Sequence, residues 1–194
     1  FLESEAERVL RPRRLCSQGR PMWLRGVETT VTREPLGVVL IIAPGNYPLM
    51  LPAIQALQAL TAGNAVLVKP APGCSGPMQL LQRWFDEVGL YEGLFTVLPE
   101  DVAPTRELLK AGVDKAVLTG SAETGKAVMQ DLAEALTPST MELSGCDAAF
   151  IRSGADVTQV ARALTFGLTF NGSATCIAPR RVFCAYKLAE PLVK

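Results

Sequence analysis

The run from Gly37 to Ala43 restricts the possible folds of this chain most strongly. Its central residues, 38–42, are all apolar, without the polar alternation of a strand that faces water. A strand reads as continuously apolar when both of its faces are buried, which is typical of parallel sheets. The run therefore predicts an inner strand of a sheet that is covered by helices on both faces.

The same order of strand, turn and helix recurs after this run. Further apolar strands are predicted at 65–68, 94–98 and 115–118, and the segments between them carry apolar residues at helical spacing. Strands about 20–35 residues apart with a helix between them are typical of βαβ units. We therefore predict an α/β fold with an open, mostly parallel sheet and helices on both faces.

The residues before this sheet predict simpler structure. Residues 1–16 are strongly charged and are interpreted as the end of a helix. Two extended runs at 22–24 and 27–31 predict a short antiparallel hairpin within 21–34. The chain starts at Phe1 rather than Met and stops at Lys194 soon after a predicted strand, so we expect it to be a fragment.

Composition argues against several classes of function. Lys plus Arg and Asp plus Glu each number 19, so we expect no general attraction to nucleic acid or to a membrane surface. The sequence contains no run of about 18 apolar residues, so no membrane span is predicted. The sequence has no histidine, which argues against common zinc sites and against Ser-His or Cys-His catalysis, so no metal is expected. The five cysteines lack Cys-x-x-Cys spacing and are expected to be reduced, in the cytoplasm.

Ligands of such a fold bind beyond the carboxyl ends of the strands. This rule selects the connections at 44–48, 69–75 and 119–125, together with the loop after 140–143. These four segments are the predicted site.

The third of these connections contains a glycine pattern. Gly120 and Gly125, followed by Lys126, nearly match a P-loop, but Ala127 replaces the hydroxyl residue that would hold Mg²⁺. Nucleotide hydrolysis is therefore disfavoured, and a plain glycine turn stays an alternative. We prefer binding of a dinucleotide pyrophosphate, because a strand-to-helix turn directs N–H groups at phosphate.

Cys176 lies in a polar segment between a predicted helix and the apolar run 182–185. A single cysteine is by itself more often a small packing residue than a nucleophile. If Cys176 is a nucleophile, the absence of histidine leaves a carboxylate, Lys, Tyr or water as the general base.

Five segments taken together carry a family pattern: 34–39 leading into 44–48; 62–70; 92–99; 118–126; and 142–145 followed by 171–176. In this order and spacing they resemble the aldehyde dehydrogenase superfamily, from about residue 35 to residue 181. The resemblance implies a Rossmann-like dinucleotide-binding domain over 1–180, incomplete at its N-terminus. It also implies that 170–194 hold the nucleophile loop and the first strand of a truncated catalytic domain.

The resemblance implies catalytic roles for three residues. Cys176 matches the nucleophile, whose thiolate would attack an aldehyde carbonyl to give a thiohemiacetal and then a thioester. Asn46 and the Cys176 backbone N–H would hold the oxyanion. Glu142 matches the base that activates water to release the acid.

The resemblance also implies NAD or NADP as the cofactor. Lys69 would meet the adenosine ribose, and Ser121 would contact the pyrophosphate or cap the helix, or do both. The other implied cofactor-binding residues are Ala43, Pro44, Gly45, Pro72, Gly120, Gly125 and Leu143.

The sequence departs from the family pattern at several positions. Gly45 occupies a position where many members of the family carry Trp. Pro72 occupies the position of the Glu that often binds the adenosine ribose in NAD-preferring members, and its absence weakens the prediction of NAD over NADP. Ser144 and Cys146 replace a Gly and a Lys, and Ser173-Ala174 replaces Gly-Gln.

We predict oxidation of an aldehyde to a carboxylic acid. The alternatives are a CoA-acylating aldehyde dehydrogenase and an inactive nucleotide-binding or scaffold relative. The resemblance implies a homodimer or homotetramer for the full-length protein, and we expect the fragment alone to be inactive.

Overall fold

A computed structural model describes residues 2–16 and 18–193. Phe1 and Lys194, at which the two predicted domains begin and end, lie outside the described residues. The N-terminal part contains helix α1 (Leu2–Leu10) and strands β1 (Arg13–Arg14) and β2 (Thr30–Val31). The two strands pair antiparallel, with Arg13 opposite Val31.

The predicted antiparallel pair therefore exists, but its position at 21–34 is wrong in part. Its first strand is β1, whereas Met22–Leu24 form a 3-10 helix that follows Pro21. Trp23 and Met22 are exposed. The apolar side chains of Met22 and Trp23 thus face solvent, while the paired residues Arg13 and Arg14 carry no apolar alternation.

The central sheet confirms the α/β prediction. Its elements in chain order are β3 (Val38–Ile42), α2 (Met50–Thr61), β4 (Ala65–Lys69), α3 (Ser75–Glu87), β5 (Phe95–Val97), α4 (Val102–Ala111), β6 (Lys115–Gly120), α5 (Ala122–Glu134) and β7 (Ser139–Leu143). The five strands lie in the order β5-β4-β3-β6-β7, and every neighbouring pair is parallel.

Strand β3 is buried on both faces, as its apolar run predicts. Val39 and Ile41 pack in a core with residues of β4, α2 and α3, including Met78. Leu40 and Ile42 pack in a second core with residues of β6, α4 and α5. Because side chains alternate along a strand, one apolar run supplies the centre of both cores.

The strand order of the sheet reverses at β3. From β3 the chain continues to β4 and β5 on one side, then crosses to β6 and β7 on the other. The connections that leave the carboxyl ends of β3 and β6 therefore turn to opposite faces and leave a crevice between them. This is the place where open α/β sheets bind ligands.

A second, smaller unit follows the sheet. It consists of β8 (Asp147–Ile151), α6 (Val157–Thr169), a 3-10 turn at Phe170–Ser173, β9 (Pro179–Cys184) and α7 (Tyr186–Val193). Strands β8 and β9 are parallel, and the rings of Phe150 and Phe183 stack with centroids 5.1 Å apart. Asp156 caps the start of α6, since its side chain accepts a hydrogen bond from the Gln159 N–H.

Within the described ranges, no helix has the combination of length and apolar composition that a bilayer crossing requires.

The buried side chain of Asn64 joins the entry of β3 to the end of α2. Its Oδ1 accepts hydrogen bonds from the N–H groups of Leu36 (2.6 Å) and Gly37 (3.1 Å). Its Nδ2 donates to the Ala59 carbonyl at 2.9 Å. At 6% exposure, water cannot easily replace these partners. Asn64 therefore holds the start of the central strand in place.

We expect Asn64→Ala to lower the free energy of unfolding by about 1–3 kcal/mol, because it leaves partly buried N–H groups without an acceptor. Urea denaturation followed by circular dichroism measures the change. Gln58→Ala, at an exposed position of the neighbouring helix, is the control and should change stability by less than about 0.5 kcal/mol. Equal effects of the two substitutions would contradict the role of Asn64.

Candidate active site

An open cleft of about 420 Å³ lies at the carboxyl edge of the sheet, where the turns after β3 and β6 separate. Its lining includes eight of the predicted site residues: Pro44, Gly45, Asn46, Gly120, Ser121, Glu142, Leu143 and Cys176. The three predicted catalytic residues are therefore brought to one cleft although they are far apart in the chain. Lys69, Ala43, Pro72 and Gly125 are not part of this lining.

The segment that carries Cys176 begins with an unusual backbone turn. Asn171, Gly172 and Ser173 have φ values of 52°, 60° and 67°. This left-handed region suits Gly and is tolerated by Asn, whereas it is unfavourable for Ser. Ser173 stands where the family pattern has Gly, so the structure gives a physical reason for the family residue and shows strain at this departure.

Two asparagines join this segment to the turn after β3. Asn46 Nδ2 donates to the Ala174 carbonyl at 2.7 Å, and Asn171 Nδ2 donates to the Asn46 carbonyl at 3.0 Å. An amide nitrogen carries two hydrogens, so the first of these bonds leaves the Asn46 side chain with a second donor. Asn46 thus serves as a structural link in addition to the predicted oxyanion role.

A further link connects the residues beside Asn46 and Cys176. The Tyr47 and Thr175 hydroxyls are 2.8 Å apart, and Thr175 Oγ1 also donates to the Phe170 carbonyl at 3.3 Å. Thr175 is buried, at 6% exposure, while Cys176 is exposed with a free thiol. The partly buried hydroxyl pair therefore anchors the residue directly before the predicted nucleophile.

Glu142 lies on β7 at the edge of the sheet, opposite Thr119 of β6 in the register. The residues after it pack closely against the nucleophile segment. A Cβ added at Gly145 would lie 3.2 Å from the Cys176 carbonyl oxygen. The Arg181 guanidinium donates to the Cys146 carbonyl at 2.8 and 3.1 Å. These contacts hold the segment that follows Glu142 against the segments that carry Cys176 and Arg181.

Ser121 is the N-cap of α5. Its Oγ accepts a hydrogen bond from the Thr124 N–H at 3.1 Å, which confirms the capping interpretation. The helix begins directly after the cleft-lining residues Gly120 and Ser121, so the positive end of its dipole lies at the cleft. Gly125 has a packing role, because a Cβ there would lie 2.6 Å from Leu143 Cδ2.

Lys69 ends β4, beside the cleft-lining turn. Its side chain is buried, at 7% exposure, and the Ala43 N–H donates to its carbonyl at 2.9 Å. Burial lowers the pKa of Lys69, and the charges of Glu100 and Asp101 oppose this shift. A lysine this buried is uncommon without a charged partner, which distinguishes it from a solvated strand-end residue. Pro72 lies in the exposed loop that follows.

Comparison with known proteins now identifies the class. The model of the aldehyde dehydrogenase family matches residues 5–194, so this chain belongs to that family. Aldehyde dehydrogenase family 3 member A2 of Pongo abelii is 37% identical over 166 residues, which are 86% of this chain and 34% of that protein. The 4,4'-diapolycopene aldehyde oxidase of Methylomonas sp is 33% identical over 94% of this chain and 34% of its own length. The chain thus spans about a third of the length of these curated relatives.

Solved structures share the fold. Lactaldehyde dehydrogenase from Escherichia coli superposes with a TM-score of 0.86 at 26% identity, covering 97% of this chain and 39% of that one. PnpE in complex with nicotinamide adenine dinucleotide gives a TM-score of 0.84 at 25% identity, covering 97% of this chain and 38% of that one.

Sequence reasoning did not find Tyr47, Thr175 or Gly145 as contributors to this site. Tyr47 follows Asn46 inside a segment that carried the family pattern, and Thr175 precedes Cys176. Their positions next to predicted catalytic residues were the only feature of the sequence that could have indicated a role in the site. Their contact joins residues more than a hundred positions apart, which no local pattern specifies.

We expect Ser173→Gly to raise the free energy of unfolding by about 1 kcal/mol, because Gly adopts positive φ without the steric cost of a side chain. Thermal or urea unfolding measures this. Ser153→Gly is the matched control, since Ser153 does not have positive φ and Gly there should be neutral or slightly destabilising. No gain over the control would contradict strain at Ser173.

We expect Tyr47→Phe to lower the free energy of unfolding by about 1 kcal/mol, because it removes one partner of a largely buried hydroxyl pair. Tyr91→Phe removes the same atom from a side chain that is 83% exposed and should have almost no effect. Urea unfolding of both variants makes the comparison. A similar change in the two would show that the Tyr47–Thr175 contact does not stabilise the segment.

Proposed function

We propose that this chain is part of an NAD(P)-dependent aldehyde dehydrogenase that forms carboxylic acids. The observation that supports this most strongly is that Cys176, Glu142 and Asn46 line one cleft at the point where the sheet reverses its order. They are a nucleophile, a base and an oxyanion donor in a chain without histidine.

In the proposed reaction, the Cys176 thiolate attacks the aldehyde carbon and forms a thiohemiacetal. The negative charge that develops on the carbonyl oxygen is held by the second amide hydrogen of Asn46 and by the Cys176 N–H. One donor of this kind typically contributes about 10²–10³ in rate. The hydrogen bond from Asn46 to the Ala174 carbonyl supports this role, because it restricts the orientation of the amide.

The residues present suit a dinucleotide. Lys69 offers a buried cation at the end of β4, and Ser121 caps a helix whose N-terminus suits a pyrophosphate. These side chains, with the Gly120 turn, would hold either NAD or NADP. When bound, the nicotinamide would supply the hydride acceptor that converts the Cys176 thiohemiacetal into a thioester.

Glu142 is proposed to activate the water that hydrolyses this thioester and regenerates the thiol. Its place in the cleft lining supports acid formation over the CoA-acylating alternative, in which a thiol replaces water. An inactive nucleotide-binding relative would need no carboxylate there.

We further propose the division into a dinucleotide-binding domain over 1–180 and the first part of a catalytic domain over 170–194. A dimer or tetramer and a cytoplasmic location stay predictions.

Stopped-flow absorbance with a panel of aldehydes tests the proposal on the full-length protein. Wild type should release reduced cofactor in a burst that is faster than steady turnover. Cys176→Ala should lose both burst and turnover, because no other side chain in the cleft can form the thioester. The control, Cys16→Ala, removes an exposed thiol outside the cleft lining and should retain activity.

Glu142→Gln should keep the burst but lower steady turnover by about 10²–10⁴, as expected for loss of a general base. Glu134→Gln, at the exposed end of α5, should behave as wild type. Product formation that requires CoA would support the acylating alternative. Cofactor binding without any burst would support the inactive relative, and an active Cys176→Ala would refute the mechanism.

A further inference from the structure

The carboxylate of Glu100 occupies the loop that follows β4, although it comes from a different strand. Glu100 lies after β5, which is the neighbour of β4 in the sheet. Its Oε2 accepts from the Gly73 N–H at 2.6 Å, and its Oε1 accepts from the Ser75 N–H at 2.9 Å. Ser75 is the first residue of α3, so the carboxylate binds the N-terminus of that helix.

These contacts keep Glu100 ionised. The backbone hydrogen bond from Gly73 is the largest of the effects that lower its pKa, and hydrogen bonds from Ser75 act in the same direction. The charge also acts on Lys69, because Glu100 and then Asp101 raise the pKa of the buried ammonium against the effect of its burial. The Lys69 ammonium, at the end of β4, is therefore influenced by the charges of two acidic residues that follow β5.

This arrangement matters for the two cofactors that the site could take. They differ by one phosphate on the 2′ oxygen of the adenosine ribose. A carboxylate beside that oxygen accepts a hydrogen bond from the hydroxyl, whereas a phosphate there needs a cation or free N–H donors. The Pro72 side chain has no polar atom, and its backbone nitrogen has no hydrogen to donate.

The N–H groups of Gly73 and Ser75 are backbone donors on this loop that a phosphate would need. Glu100 already satisfies both, and its negative charge would repel the phosphate. The charges of Glu100 and Asp101 also act on the Lys69 ammonium, since both raise its pKa. The 2′-hydroxyl of NAD would thus find a hydrogen-bond acceptor in the Glu100 carboxylate, whereas the 2′-phosphate of NADP would be repelled by its negative charge.

We propose that Glu100 determines cofactor specificity in this protein, selecting NAD over NADP by excluding the 2′-phosphate from the loop after β4. Glu100 thereby takes the place of the acidic side chain that Pro72 lacks, from the adjacent strand. The proposal rests on the proposed function, because it requires the dinucleotide to lie along this edge.

Isothermal titration calorimetry of NAD and NADP with the purified full chain tests this without measuring turnover. Wild type should bind NAD at least about tenfold more tightly than NADP. Glu100→Gln removes the charge but keeps an oxygen acceptor for one of the two N–H groups. It should tighten NADP binding relative to NAD by about tenfold, the size expected for one close like-charge pair in a partly exposed site.

Glu92→Gln is the matched control. It makes the same change of net charge, but Glu92 precedes β5 and so lies toward the opposite edge of the sheet. The ratio of the two affinities should stay within about twofold of wild type. If wild type binds NAD but Glu100→Gln also leaves the ratio of the two affinities within twofold of wild type, the specificity role is refuted. The proposed function would then remain intact. Wild type that binds neither dinucleotide would refute both.

A second measurement needs no variant. Raising the ionic strength screens the repulsion between exposed charges. The affinity of wild type for NADP should therefore improve relative to NAD between low and high salt, and Glu100→Gln, if folded, should lose this dependence. The proposal would be contradicted if the affinity of wild type for NADP, divided by its affinity for NAD, fell or did not change as the salt concentration rose.

Discussion

The parallel pairing of β3 with β6 is the interaction on which the rest of the structure depends. It places residues 39–42 beside 115–118, across a connection that contains two further strands and three helices. Because the chain leaves β3 and β6 in opposite directions, the pairing creates both the two-sided core and the crevice at its carboxyl edge. The turns that carry Asn46 and Ser121 lie at this crevice only because the two strands are neighbours.

The cleft also requires a second unit to be held against the sheet. Hydrogen bonds from the turn at 46–47 to the segment 171–175 join the two parts. They coincide with the left-handed backbone at Asn171 to Ser173, which is unfavourable in isolation. Strain of this kind persists where surrounding contacts over-determine the conformation, and it occurs often at functional sites. The same contacts thus stabilise the segment and position Cys176.

Prediction succeeded where a residue's role follows from its neighbours in the sequence. The burial of the run 38–42, the helices between the strands and the parallel sheet were predicted, since burial on two faces and helical periodicity are local patterns. The position predicted for the antiparallel hairpin was wrong in part, since its strands are Arg13–Arg14 and Thr30–Val31. Two-residue strands contain too few positions for alternation to appear. In the site, the family pattern predicted Cys176, Glu142 and Asn46, which line the cleft, but it did not point to Tyr47 or Glu100. The partners of these two residues lie on other elements.

The sequence by itself determined the fold class, the edge of the sheet at which ligands should bind and the residue types available for chemistry. Hydrophobic burial and turn chemistry are properties of short segments, so a single chain displays them directly. Only the tertiary structure decided which side chains meet. The Tyr47–Thr175 pair and the Glu100 carboxylate on the loop of another strand are examples. Such contacts depend on strand order and on backbone hydrogen bonds, whose geometry is satisfied only after the elements have packed.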